Sequence, residues 1–333
     1  MPNWWAVADR EAYTLPALSF ANRWYSAAVP SGAREWRRCF FHKSRVMRIR
    51  KAVITAAGPS QRRLPLQSLI DRDGVERSVL NLMVHRMVQA RVEEICVVIA
   101  PGDEQAYRSA AGDHAERVRF VEQAEPQGYG HAIYCAREFT AGEAFLHQMS
   151  DHIYVNGGTG SCSGQLIAEA EREECSVSAV QATREGLLPR FGAIGGQQIA
   201  GQADLYKVET VLEKPTPTEA EQELMVPGLR AGHYLCFSGM HVLTPTAMTI
   251  LGELLNEQPG ARISLSAALA MLVQRERYLA LKLSARRVDL GAPYGPFIAQ
   301  LLLAMTGQDR FEVLSQIVEA MSLREETGTR VGG

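Results

Sequence analysis

Two kinds of apolar run alternate along most of this chain. Lys51–Thr55 (KAVIT) is a short β-branched run that ends in Ala56-Ala57-Gly58, the pattern of a strand feeding a turn. Val79–Ala90 instead carries its apolar residues at Val79, Leu82, Met83 and Met87, which is helical spacing. Glu94–Ala100 (EICVVIA) is nearly continuous, as a central parallel strand covered on both faces must be. The alternation goes on: helix over Gly130–Glu138, strand over Ala144–Met149 running into Ser150-Asp151, helix over Gln165–Glu174, strand over Cys175–Gln181. Strands alternating with helices predict βαβ units, an α/β fold with a Rossmann-like, mainly parallel sheet flanked by helices. In such sheets the loops at the strands' carboxyl ends gather on one edge, where ligands bind. Gly58 and Asp151 belong to that edge.

After about residue 185 the texture changes. Phe191–Gly196, Leu205–Leu212 and Gly232–Met240 are Gly-rich or short runs that predict hairpin or mixed-sheet strands, and helical patterns return at Thr246–Asn256, Leu265–Arg275 and Pro296–Met305. This divides the expected domain, 47–323, into a part at 47–184 and a second at 185–305, with 324–333 as a frayed tail. There is no internal repeat.

The first 46 residues do not follow this grammar. All four tryptophans lie there, with seven basic residues against three acidic ones, and neither a secretory core nor a long apolar periodicity appears. Met47 then opens MRIRKAVITAAG, so residues 1–46 are expected to be a poorly ordered extension, or Met47 the natural start.

Overall charge narrows the function. With 333 residues, 35 Lys plus Arg and 37 Asp plus Glu, the net charge of −2 gives no general reason to bind nucleic acid or an anionic membrane. No apolar stretch reaches the ~18 residues of a membrane span. The six cysteines make no CxxC pair, and several sit in apolar runs; reduced thiols in a cytoplasm are the expectation.

Five short motifs carry polar groups that chemistry could use. Ala56–Pro65 (AAGPSQRRLP) follows a strand and offers a backbone cradle with Arg62 and Arg63, although a tight turn with solvated arginines explains it equally. Gln127–Ala132 (QGYGHA) combines glycines, which let a ligand approach, with an amide that can pair a base edge; a glycine-rich helix start is the ordinary alternative. Ser150-Asp151-His152 places a carboxylate where a divalent metal could sit, or a mixed-ligand site, or a helix cap. Glu213-Lys214-Pro215 is a fixed charge pair that could equally be a surface ion pair, and Val288-Asp289-Leu290-Gly291 is a second carboxylate before a glycine turn.

Their order, AAG…R…LP, QGYGHA, strand-Asp, FG, EKP, GHY and DLG, resembles the bacterial UTP–glucose-1-phosphate uridylyltransferases within the sugar nucleotidyltransferase superfamily. The resemblance runs from about Met47 to Met305 and implies the nucleotide-diphospho-sugar transferase fold. It implies that Ala57 and Gly58 contact the nucleotide, with Gln127 on the uracil edge and Gly130 beside it. Asp151 and Asp289 would hold Mg²⁺; Gly192, Glu213 and Gly232 would meet the sugar, and Lys214 its phosphate. The implied reaction joins UTP and glucose-1-phosphate to give UDP-glucose and pyrophosphate, in a cytoplasmic homo-oligomer. The first loop departs from the family's GxGTR and proline–lysine pair: it reads Gly58-Pro59-Ser60-Gln61-Arg62, with Gln67 where a lysine is expected. Arg62 or Arg63 would then supply the missing cation. A relative using dTTP or another sugar phosphate, and a degenerate sugar-nucleotide sensor, are the alternatives.

Overall fold

The apolar runs read as strands are strands, and both of their faces are covered. In the computed structural model, which describes residues 47–157 and 160–328, the chain begins with β1 (Lys51–Thr55), a small ribbon of β2 (Ser68–Ile70) and β3 (Glu76–Ser78), then α1 (Val79–Gln89) and β4 (Glu94–Ile99). There follow α2 (Glu104–Ala111), β5 (Val118–Glu122), α3 (Tyr129–Cys135), α4 (Arg137–Thr140), β6 (Phe145–Met149), β7 (His152–Val155) and α5 (Cys162–Glu173). The second half comprises β8 (Ser176–Arg184), β9 (Gly192–Gln198), β10 (Leu205–Glu213), α6 (Pro217–Glu223) and β11 (His233–Leu243). It closes with α7 (Pro245–Glu257), α8 (Leu265–Arg275), β12 (Tyr278–Lys282), β13 (Arg286–Asp289), α9 (Gly295–Met305) and α10 (Arg310–Gly328).

Nine strands form one mixed sheet in the order β5-β4-β1-β6-β11-β8-β12-β10-β9. β5, β4, β1 and β6 are parallel; β11 runs against both β6 and β8, and β12 returns parallel to β8. Side chains alternate between two cores. Ala52 and Ile54 of β1 join α1, α5 and α9 on one face, while Val53 joins α3, α7 and α8 on the other. Two covered faces explain why KAVIT and EICVVI read as unbroken apolar runs. Ser78 caps α1 by accepting the Asn81 N–H, and the apolar stripe from Val79 to Met87 is buried.

The two parts, 47–184 and 185–305, share one sheet: β11 from the later part lies between β6 and β8. The expected frayed tail from 324 is helical backbone through Gly328, because α10 continues to that residue. Residues 1–46, on which the extension or alternative-start reading falls, lie outside the described residues. Among the described residues no helix is long and apolar enough to cross a membrane, and Cys96, Cys135, Cys162, Cys175 and Cys236 are free.

Candidate active site

The carboxyl end of β6 and a two-stranded ladder bring the charged groups together. At Ser150 the N–H still bonds Thr55 O (3.3 Å), and the chain then leaves the sheet at Asp151. β7 starts at once and pairs antiparallel with β13, His152 standing directly opposite Asp289. Opposite residues in a ladder send their side chains to one face, with Cβ atoms roughly 5 Å apart. The Leu290 N–H bonds the Asp151 backbone carbonyl at 2.8 Å, holding the two segments together, and the Gly291 N–H bonds Asp289 Oδ1 at 2.9 Å, fixing that carboxylate. Asp151, His152 and Asp289 thus each offer a ligand atom, all within 4.8 Å of one another.

This cluster is short of partners. Asp151 is only 4% exposed; Gln61 Nε2 donates to its Oδ2, while Oδ1 has no hydrogen-bond partner. His152 Nδ1 lies 3.4 Å from that orphaned oxygen and is itself unpartnered. Burial, then the neighbouring Asp289 charge, pushes the Asp151 carboxyl up to about 6. Burial, then Arg287, pushes His152 down to about 4. Two converging carboxylates with an unsatisfied oxygen fit a divalent cation. Bonds of roughly 2.1 Å space adjacent ligands about 3 Å apart and opposite ones about 4.2 Å, within the reach of these atoms.

The first loop wraps over the same cluster. Gly58 O accepts the N–H groups of Gln61 and Arg62, while among the described residues no acceptor takes the N–H of Ala57 or Gly58. Tyr107 of α2 donates its hydroxyl to Arg62 O at 2.6 Å and so anchors the loop. Arg62 pairs with Asp103 (3.5 Å), and Arg63 is exposed. Gln61, a residue the sequence reading passed over, is what touches Asp151. Gln67 is exposed, and its backbone serves the turn into α1.

The QGYGHA segment divides into used and unused groups. Gln127 bonds Ile263 N–H through its carbonyl, and its side-chain amide has no partner among the described residues. His131 Nδ1 lies 3.0 Å from Gln123 Nε2 and accepts the Gln127 N–H, so the histidine is locally satisfied. Gly130 lies beside it: its N–H bonds Ile263 O at 2.8 Å, and a Cβ there would meet Leu251 and Ile263, so it packs α3 against the segment before α8.

The sugar-side residues meet at the β9–β10 ladder. Glu213 pairs directly with Gly192, and a Cβ at Gly192 would run into Ser266 Oγ, Phe237 and Glu213 Oε2. Lys214 follows in a left-handed conformation (φ 50), held by its N–H on Phe191 O; its side chain stays 59% exposed. A non-glycine residue there costs roughly 1–2 kcal/mol, a strain of the kind functional sites hold. Gly232 lies just before β11, five residues from Phe237, and its carbonyl accepts the Glu185 N–H in a turn.

Arg287 ties the two halves together, and the sequence reading missed it. From β13 it donates to Phe237 O at 3.0 Å and lies over the Phe191 ring at 4.3 Å, while its charge acts on Asp151 and His152. Partly buried Tyr129, whose hydroxyl is pushed well up by desolvation, also feels the carboxylates of Asp151 and, more weakly, Glu213. A separate cavity of ≈ 430 Å³ touches His152 but is walled by Asp71, Arg72 and Arg86 and includes neither Asp151 nor Asp289.

Residues 51–294 match the family described as Nucleotidyl transferase. The chain belongs to that family. It is a nucleotidyltransferase, and the two carboxylates, the first loop and the Glu213-Lys214 corner all fall within the matched span. A UTP–glucose-1-phosphate uridylyltransferase of Bacillus subtilis is 26% identical over 312 residues, covering 84% of this chain and 99% of that protein. A Streptococcus pyogenes serotype M1 protein of the same name is 25% identical, covering 74% and 86%. Among solved structures, a UDP-glucose pyrophosphorylase from Acinetobacter baumannii superposes with a TM-score of 0.63 at 22% identity over 82% of this chain and 99% of that one. A putative glucose-1-phosphate thymidylyltransferase from Bacillus anthracis gives 0.58 at 14%, over 76% and 94%. These likenesses establish the nucleotidyltransferase fold.

Proposed function

We propose that this nucleotidyltransferase joins UTP to glucose-1-phosphate, releasing pyrophosphate and forming UDP-glucose. The observation that carries the reading is the convergence of Asp151 and Asp289 at the end of β6, within reach of the first loop and tied through Arg287 to the Glu213-Lys214 corner. The names of the relatives from Bacillus subtilis and Streptococcus pyogenes supply the substrates.

In this reading a phosphate oxygen of glucose-1-phosphate attacks the α-phosphorus of UTP in line. The bond from that phosphorus to the α–β bridging oxygen breaks, and its electron pair leaves with pyrophosphate. No covalent enzyme intermediate is needed, so the chain's work is positioning and charge neutralisation. The free N–H groups of Ala57 and Gly58 donate to the α-phosphate, where negative charge gathers. The unpartnered Gln127 amide reads the pyrimidine edge with one donor and one acceptor. Glu213 accepts from sugar hydroxyls, Gly192 lets Ser266, Phe237 and Glu213 pack closely beside the sugar, and Lys214 serves as a point charge on the sugar phosphate. Asp151 and Asp289 would hold Mg²⁺, which when bound screens the phosphates. Arg62 pairs with Asp103, and exposed Arg63, which has no ion-pair partner among the described residues, is the candidate for the triphosphate cation.

A homo-oligomer and a cytoplasmic setting complete the proposal; sedimentation velocity of the full chain reads the first. The substrate reading is tested by a panel crossing UTP and dTTP with glucose-1-phosphate and galactose-1-phosphate. The expected outcome is turnover at least roughly tenfold faster for UTP with glucose-1-phosphate than for any other pair. Preference for dTTP would move the reading to the related thymidylyl transfer.

A further inference from the structure

We propose that His152 Nδ1 is a third protein ligand to the cation at Asp151 and Asp289, and that this nitrogen turns the site's preference from Mg²⁺ towards Mn²⁺ and Co²⁺. The inference rests on the metal-site reading above and adds a residue and a selectivity to it.

Three observations converge on the ring. First, backbone pairing fixes its place: His152 opens β7 opposite Asp289 and directly follows Asp151, so two carboxylates flank the imidazole by ladder register and chain continuity. Second, the ring is buried yet unpartnered. Its side chain is 7% exposed, Nδ1 has no hydrogen-bond partner, and Asp151 Oδ1, 3.4 Å away, has none either. A buried donor or acceptor left unpaired is costly, and two such atoms facing one gap are most simply satisfied by a shared cation. Third, the sheet makes room for the ring. A Cβ at Gly239 would stand 2.8 Å from His152 Nδ1 and 3.0 Å from Met149 Sδ. Gly239 takes φ +82 within the register break of β11 between Phe237 and His241. The break and the glycine leave clear the nitrogen that a side chain would crowd.

The donor set then decides the metal class. Mg²⁺ is hard, favours oxygen and keeps several waters, whereas imidazole suits the later divalent metals. Two carboxylates with one imidazole therefore favour Mn²⁺ and, further along the affinity series, Co²⁺. The other reading is a histidine that only orients Asp151 by hydrogen bonding, with Mg²⁺ still preferred.

The test uses the full chain without nucleotide, freed of metal and titrated with Mn²⁺. Electron spin-echo spectroscopy of the bound Mn²⁺ reads any directly coordinated ¹⁴N. Among the described residues His152 is the histidine in the cluster, so a nitrogen signal that changes when histidine is labelled with ¹⁵N identifies it without any substitution. His152→Asn is expected to weaken Mn²⁺ by roughly 10- to 100-fold. Mg²⁺ affinity, read by competition, should change by less than about threefold. Bound Mn²⁺ with no histidine nitrogen signal, or equal losses for both metals in His152→Asn, overturns the proposal while leaving the metal site intact. Asp289→Asn separates the two levels: if it leaves Mn²⁺ affinity unchanged, the metal-site reading falls and this inference with it. Should His152→Asn fail to fold, the labelled native protein still decides.

Discussion

The sheet's two halves keep to the family's pattern unequally. On the parallel side, β1 and β6 deliver the first loop and Asp151, and here the chain departs: Gln61 lies on Asp151, Gln67 stands at the expected lysine position, and His152 follows the carboxylate. On the antiparallel side, β9 and β10 deliver Gly192 and Glu213 in a ladder that is regular from Thr210 to Glu213, beyond a register shift at Val208/Thr210, with Lys214 just past its end and little room for change at Gly192. The difference has a physical basis. A ladder transmits register along its length, so one altered residue disturbs its neighbours, whereas a loop anchored at a few points accepts new side chains at its tip. In the proposed reading, sugar contacts accordingly sit on strands and nucleotide-phosphate contacts on a loop.

The sharpest way to break this contrast is at Lys214. Lys214→Asn removes the cation but suits the left-handed backbone, and it should lower kcat/KM by roughly 10²- to 10³-fold, about 3–4 kcal/mol of barrier. Turnover within threefold of native would remove Lys214 from the reaction. Next comes Gly192→Val, which drives a branched side chain at Ser266 and Phe237. Overpacking there should destabilise the fold by about 1–3 kcal/mol in chemical denaturation and raise KM for the sugar phosphate more than for UTP. Equal effects on both substrates would deny that β9 faces the sugar.

A third prediction concerns the seam between the halves. His147 of β6 is wholly buried, with Nδ1 on Val53 O and Nε2 on the Tyr129 hydroxyl, and burial lowers it to about 4. The unfolded chain binds this proton below about pH 6.5 and the folded one only below about 4, so stability falls as pH drops through that window. The contribution is about 3 kcal/mol, and His147→Gln should flatten the slope of unfolding free energy between pH 6.5 and 4. An unchanged slope would place the acid sensitivity elsewhere, in His241 for example, which burial also depresses. The smallest effect belongs to the loop tip. Gln67→Lys restores the cation the family uses and should lower KM for the nucleotide by a few-fold, about 1 kcal/mol, with no change in thermal stability.

How much of this could be read from the chain depended on whether the signal was local. β1, β4, β6, α1 and α8 were legible because a face or two faces of each are buried and the period shows it. α2 was not, since only Tyr107 and Ala111 of its residues are buried and no stripe forms. β7 and β13 escaped notice because each has four residues and makes sense only against the other, some 130 residues away. The carboxylates at Asp151 and Asp289 stood out by motif, yet their convergence is a product of that unseen ladder. Gln61 and Arg287 were missed for a related reason: each acts across the fold, on Asp151 and on Phe191 and Phe237, and nothing beside them in sequence announces the partner. Gly130 and Gly232 serve close packing and a turn, roles a motif does not distinguish from ligand approach.

The central claim is that Asp151 and Asp289 hold the cation that lets this fold transfer a nucleotide. Pyrophosphate release from UTP and glucose-1-phosphate by the full chain, set beside UDP-glucose binding at equilibrium and repeated with Asp151→Asn, tests it directly. The account predicts steady release by the native protein and a loss of roughly 10²-fold or more in the variant, which should still fold. Equal release by the two proteins would contradict it, as would a native chain that binds UDP-glucose and releases no pyrophosphate with any divalent metal, the behaviour of a sensor.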